Sequence, residues 1–84
     1  MEKGDIIKTT KHLKFKVVEL KPKTVCISVI NHSEQGLGYI EWYSPWRQYC
    51  YFPEEEIIMA NSCLQDIVGM IKELMDKRKE IKNG

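Results

Sequence analysis

The chain has 84 residues, 43% of them hydrophobic and 30% charged, with a formal net charge of +1. That length supports one small domain with a single core, and the composition is that of a folded chain rather than a disordered one. Near-neutral charge excludes recruitment by bulk electrostatics to nucleic acid or anionic membrane.

The charge is unevenly spread. Residues 1–24 carry seven lysines against Glu2, Asp5 and Glu19, whereas residues 25–60 carry Arg47 against five glutamates. Lysines along a solvated strand edge account for the basic arm, and contact with phosphate is the alternative. Three cysteines, at 26, 50 and 63, form no CxxC pair and leave one unpaired under any disulfide scheme, which predicts free thiols in a reducing compartment. No apolar run has signal-peptide or membrane-span length, so the expectation is a cytoplasmic protein without membrane contact. The Asn31-His32-Ser33 sequon would matter only after secretion.

In chain order, "KGDIIK" lacks helical spacing and reads as a short strand around residues 5–9. "LKFKVVEL" alternates, with Leu13, Phe15 and Val17 on one side and Lys14 and Lys16 on the other, the pattern of a half-buried strand. "KPKT" supplies a turn, and the β-branched "VCISVIN" reads as a central strand because both of its faces are apolar. After the polar "HSEQG", "LGYIEWY" (37–43) and "RQYCYF" (47–52) form the next two strands, with "SPW" as their hairpin loop. "EEEIIMA" (54–60) is either a short edge strand or an extended approach to a helix.

The helix is predicted over residues 63–81, with Leu64, Ile67, Val68, Ile71, Leu74 and Met75 as one apolar stripe and Gly69 opposite. Ser62 with Gln65 matches a capping box, and Asn61 is the alternative cap. Glu73 and Lys77 are spaced to pair, while Lys77, Arg78, Lys79 and Lys82 offset the dipole. The expected fold is one α+β domain over residues 1–84. It is an antiparallel meander of three to five strands, with the C-terminal amphipathic helix packed on one face.

Residues 42–52, "WYSPWRQYCYF", concentrate the aromatic side chains. If "SPW" is the loop, Tyr43 opposes Arg47, Glu41 opposes Tyr49 and Tyr39 opposes Tyr51. These six then share the solvent face, and Gly38, Ile40, Trp42, Gln48, Cys50 and Phe52 face the helix. A Tyr/Arg/Trp cluster has the composition of an interaction hot spot, although cross-strand tyrosines also serve simply to stabilise a wet sheet face. The candidate protein-binding residues are Tyr39, Glu41, Tyr43, Trp46, Arg47, Tyr49 and Tyr51.

No catalytic, metal or cofactor site is expected. His12 and His32 sit in separate connections, no glycine-rich phosphate loop exists, and the run Glu54-Glu55-Glu56 points its carboxylates to alternate sides. Cys63, in the first helical turn, is the best nucleophile on offer but has no histidine nearby in sequence to act as its base. An enzyme is therefore not expected. The alternative to protein binding is nucleic-acid binding, with exposed tyrosines stacking on bases and Lys8, Lys11, Lys14, Lys16 and Arg47 tracking phosphates. A third reading is a symmetric homodimer through strand edges or the outer side of the helix.

Residues 37–74 resemble a pattern in small proteins encoded by bacteriophages and prophages. The pattern is a W-Y-x-P-W-R/K-x-Y-C-F-x-P block, then acidic or polar residues, a short apolar stretch, and a helix opening Cys-Leu-x-[Asp/Glu]-Ile. Trp42, Tyr43, Pro45, Trp46, Arg47, Tyr49, Cys50, Phe52, Pro53, Cys63, Leu64, Asp66 and Ile67 carry the match, and Tyr51 stands where the pattern has Phe. Residues 1–36 contribute nothing to it. The resemblance implies a bacterial cytoplasm during infection or lysogeny. It also implies stoichiometric binding to a host or defence protein, or an accessory role in phage DNA metabolism.

Overall fold

The computed structural model describes residues 1–83. Five strands, β1 (Ile6–Thr9), β2 (Leu13–Leu20), β3 (Val25–Asn31), β4 (Gly36–Tyr43) and β5 (Gln48–Pro53), precede one helix, α1 (Asn61–Asn83). The strands form an antiparallel meander in the order β1-β2-β3-β4-β5, and α1 covers one face. The α+β expectation holds, and β3 is the central strand as its two apolar faces require.

The alternation in β2 is realised directly: Leu13, Phe15 and Val17 are buried, and their lysine neighbours face away. Val25, Ile27 and Val29 from β3, Leu37 and Ile40 from β4, and Ile67, Met70 and Leu74 from α1 complete the core. A bulge between Val29 and Ile30 in the β3–β4 register lets Leu37 and Ile40 both turn inward despite their odd spacing. Short connections are tied by their own polar groups. Asn31 Oδ1 accepts from the amides of Ser33 and Gln35, both at 2.9 Å, and Thr10 Oγ1 accepts from the Leu13 amide at 3.0 Å.

The helix differs from its predicted phase. Cys63, Ile67, Met70, Ile71, Leu74 and Met75 pack on the sheet, whereas Leu64 is exposed and Val68 is 64% exposed. Met70, absent from the predicted stripe, seats in the core because the buried strip is rotated toward Cys63 and Met70 and away from Leu64 and Val68. The Ala60 carbonyl accepts from the amides of Cys63 and Leu64, each at 3.1 Å, so the helix begins at Asn61, and neither Asn61 nor Ser62 is its cap. Glu73 pairs with Lys8 of β1 at 2.6 Å rather than with Lys77, tying the helix to the sheet edge. The side chains of Lys79 and Lys82 lie outside the described residues. "EEEIIMA" is the extended approach and not a strand: Ile57 and Met59 turn inward, Ile58 outward.

Candidate protein-binding face

The β4–β5 hairpin decides which aromatic rings reach solvent. Its loop is longer by one residue than "SPW". A 3₁₀ turn spans Ser44–Trp46, and Arg47 follows in the left-handed region (φ 52°, ψ 47°), its amide donating to Ser44 O at 3.1 Å. Tyr43 therefore opposes Gln48, and the register runs Trp42–Tyr49, Glu41–Cys50, Ile40–Tyr51 and Tyr39–Phe52. β4 keeps its predicted phase, with Tyr39, Glu41 and Tyr43 outward. β5 is inverted, because one added loop residue turns every following side chain to the other side.

Two of the predicted outward residues are thus inward. Tyr49 is only 4% exposed, its hydroxyl accepting from the Val25 amide at 3.2 Å and its ring meeting Trp42 edge-on at 5.5 Å. The Tyr51 hydroxyl donates to Leu37 O at 2.5 Å and its ring packs against the core. A phenol can be buried at little cost when its oxygen finds a backbone partner, and both tyrosines do so. Burial raises both hydroxyl pKa values above the ordinary 10.0. Conversely Phe52, predicted to dominate the core, is 37% exposed on the outer face beside Tyr39, and Cys50 joins it there. Trp42 does face the helix side, where the Arg78 guanidinium stacks over its ring at 3.9 Å.

The outer face that results is a graded surface. β2 contributes Lys14 and Lys16, β3 contributes Cys26, Ser28 and Ile30, and β4 and β5 contribute Tyr39, Glu41, Tyr43, Gln48, Cys50 and Phe52. Trp46, 67% exposed at the hairpin tip, folds back edge-on against Tyr43 at 5.0 Å. Tyr43 also meets Phe52 at 6.1 Å, reaching across the intervening Glu41–Cys50 row. With Tyr39 at 42% exposure, this makes a fixed aromatic patch on a face that α1 does not cover. Arg47 is exposed in the loop rather than opposite Tyr43.

The lysines named for phosphate contact are scattered. Lys8 opposes the buried Phe15 and reaches the helix-side Glu73, Lys14 pairs with Glu34, and Lys11 stands in the β1–β2 turn. Only Lys16 joins the aromatic face without an ion pair among the described residues. Cys26 lies on this face beside Glu41. Burial first, and the Glu41 carboxylate second, push its thiol from an ordinary 9.0 to about 11. Cys63 is half-buried against the core, and His32 Nε2 donates to Thr10 O at 3.0 Å. Among the described residues no cluster of His, Cys, Asp and Glu has the geometry to hold a metal ion, and no helix is long and apolar enough to cross a membrane.

No family model and no solved structure matches the chain. A protein of Acholeplasma phage L2, described as an "Uncharacterized 9.3 kDa protein", is 37% identical over 76 residues, covering 88% of this chain and 97% of the relative. The chain belongs to this phage protein's family. The likeness extends over almost the whole of both chains and is not confined to the aromatic block. Family membership supplies a bacteriophage setting, and the chemistry has to be read from the face itself.

Proposed function

We propose that the chain is a non-enzymatic protein-binding module that acts by stoichiometric binding of a host or defence protein in the bacterial cytoplasm. The contact surface is the outer sheet face, centred on Tyr39, Tyr43, Trp46 and Phe52, with Glu41 between the two tyrosines and Arg47 in the hairpin loop. The observation that carries this reading is the Trp46–Tyr43–Phe52 edge-to-face cluster, whose rings are held by one another yet remain open to solvent. Rigid aromatic area costs little ordering entropy on contact, which is why Trp and Tyr dominate interface hot spots. The phage family agrees with a host-directed role. The raised Cys26 pKa holds its thiol in the protonated form at neutral pH, which does not favour nucleophilic catalysis there.

A photo-crosslinking residue placed at Tyr39 in the host tests this. A discrete protein adduct is expected. It should fall by a factor of about 30 in the Trp46→Ala, Phe52→Ala double variant, the size expected for two hot-spot residues. The melting temperature should stay nearly constant. An adduct of equal yield from Val68 on the exposed side of α1, or one indifferent to the double variant, contradicts the assignment.

A further inference from the structure

A second surface lies at the end of the sheet where the β2–β3 turn (21–24) faces the later turns of α1. It encloses a notch of about 170 Å³. Its floor is apolar and buried, made by Val25 and Leu74 with the ring of Tyr49. Its mouth is lined by Lys21, Lys23, Lys77 and Arg78, and no carboxylate among the described residues lines it.

Arg78 is fixed in place, donating to Lys23 O at 2.8 Å and stacking on Trp42 at 3.9 Å. The three lysines form no ion pair among the described residues, since Glu73 is taken by Lys8. Helix-dipole compensation does not explain the cluster. That effect fades within the last turn, whereas Lys77 and Arg78 stand more than a turn before Asn83, and Lys21 and Lys23 belong to another element. Four cations lining one notch repel one another, and an anionic occupant relieves that repulsion.

The geometry points to a binding site for an acidic protein segment that inserts one apolar side chain, with the flanking carboxylates meeting Lys21, Lys23 and Lys77. Size selects this class: drug-sized ligands need roughly 300–1,000 Å³, whereas a cavity of about 150 Å³ takes a benzene-sized group. A phosphodiester would satisfy the cations and leave the apolar floor wet. The inference deepens the protein-binding reading and rests on it for the class of partner. The Tyr49–Val25 bond puts the β2–β3 turn and the β4–β5 hairpin at the same end of the sheet, so one partner can engage both the notch and the aromatic tip.

The test is a methyl-NMR titration of the full chain with the capped peptide acetyl-Glu-Asp-Phe-Asp-Glu-amide. Saturable shifts at Val25 and Leu74 are expected. Affinity should fall about tenfold or more on replacing the peptide's Phe with Ala, its acids with Gln and Asn, or Lys21 and Lys77 with Glu. Because both lysines are exposed, the charge-reversed variant is checked for an unchanged melting temperature, and Lys21→Gln with Lys77→Gln gives a milder version. The Trp46→Ala, Phe52→Ala variant should bind the peptide undiminished, which separates this site from the outer face. No shift at Val25 and Leu74, or equal affinity for the uncharged peptide, overturns the proposal while leaving the outer-face reading to its own test.

Discussion

Gly38 is the residue on which the hairpin's geometry depends. Its φ is +134°, and a Cβ added there would lie 2.4 Å from Phe52 O and 2.8 Å from the Pro53 Cα. Both the dihedral and the contact are backbone constraints, so repacking a side chain cannot relieve them. Gly38→Ala should therefore cost about 2–4 kcal/mol, read as a fall in denaturant midpoint, with the β5 resonances most affected. Cys26 gives a pH signature at the same scale. Its thiol titrates near 9.0 when unfolded and at about 11 in the fold, so the unfolded chain loses its proton first as pH rises. The contribution of the buried thiol to stability is full below pH 9 and is lost between about pH 9 and 11, with the raised Tyr49 and Tyr51 hydroxyls acting in the same sense. Denaturation series across that window should show the decline, and Cys26→Ala should flatten its lower part. A stability profile flat to pH 11 would contradict the burial of all three groups.

At the level of elements, β2, β3 and the part of β4 beyond its bulge were legible because their inward positions recur every second residue and are apolar. Leu13, Phe15, Val17, Ile27, Val29 and Ile40 all lie where period two puts them. β5 was legible as a strand but not in its phase, because both of its faces carry rings and no polar/apolar contrast distinguishes them. Its phase is set instead by the left-handed Arg47, a residue type that gives no warning of positive φ. The buried tyrosines could have been suspected only from the backbone groups that partner their hydroxyls, the Val25 amide and the Leu37 carbonyl, which a sequence does not reveal. The helix was legible in existence and extent, but its phase was ambiguous because apolar residues occupy more than one stripe. Ile67→Ala and Leu74→Ala should each cost about 2–5 kcal/mol, whereas Val68→Ala should stay within about 0.5 kcal/mol. Chemical denaturation of the three variants checks this, and equal losses would mean that α1 is rotated from the orientation described.

Across the whole molecule, the free edge of β5 is poorly suited to pairing with another strand. The Glu54 amide donates to Leu37 O at 3.2 Å, which by antiparallel alternation points the backbone of residues 49, 51 and 53 outward. Pro53 has no amide hydrogen and the Tyr49 amide is taken by Met75 Sδ at 3.3 Å, so the edge is blunted. The proposed partner contacts accordingly run through side chains, those of the aromatic outer face and of the cation-lined notch at the hairpin end. Both surfaces depend on the inverted phase of β5, which places Phe52 outside and Tyr49 in the floor of the notch. The decisive measurement is NMR of the aromatic protons with a soluble paramagnetic agent, combined with inter-ring and ring–methyl NOEs. Strong broadening of Phe52 and Tyr39, with a protected Tyr49 ring showing NOEs to Val25 and Leu74, is the predicted result. A bleached Tyr49 ring together with NOEs from Phe52 to Ile67 or Leu74 would contradict it.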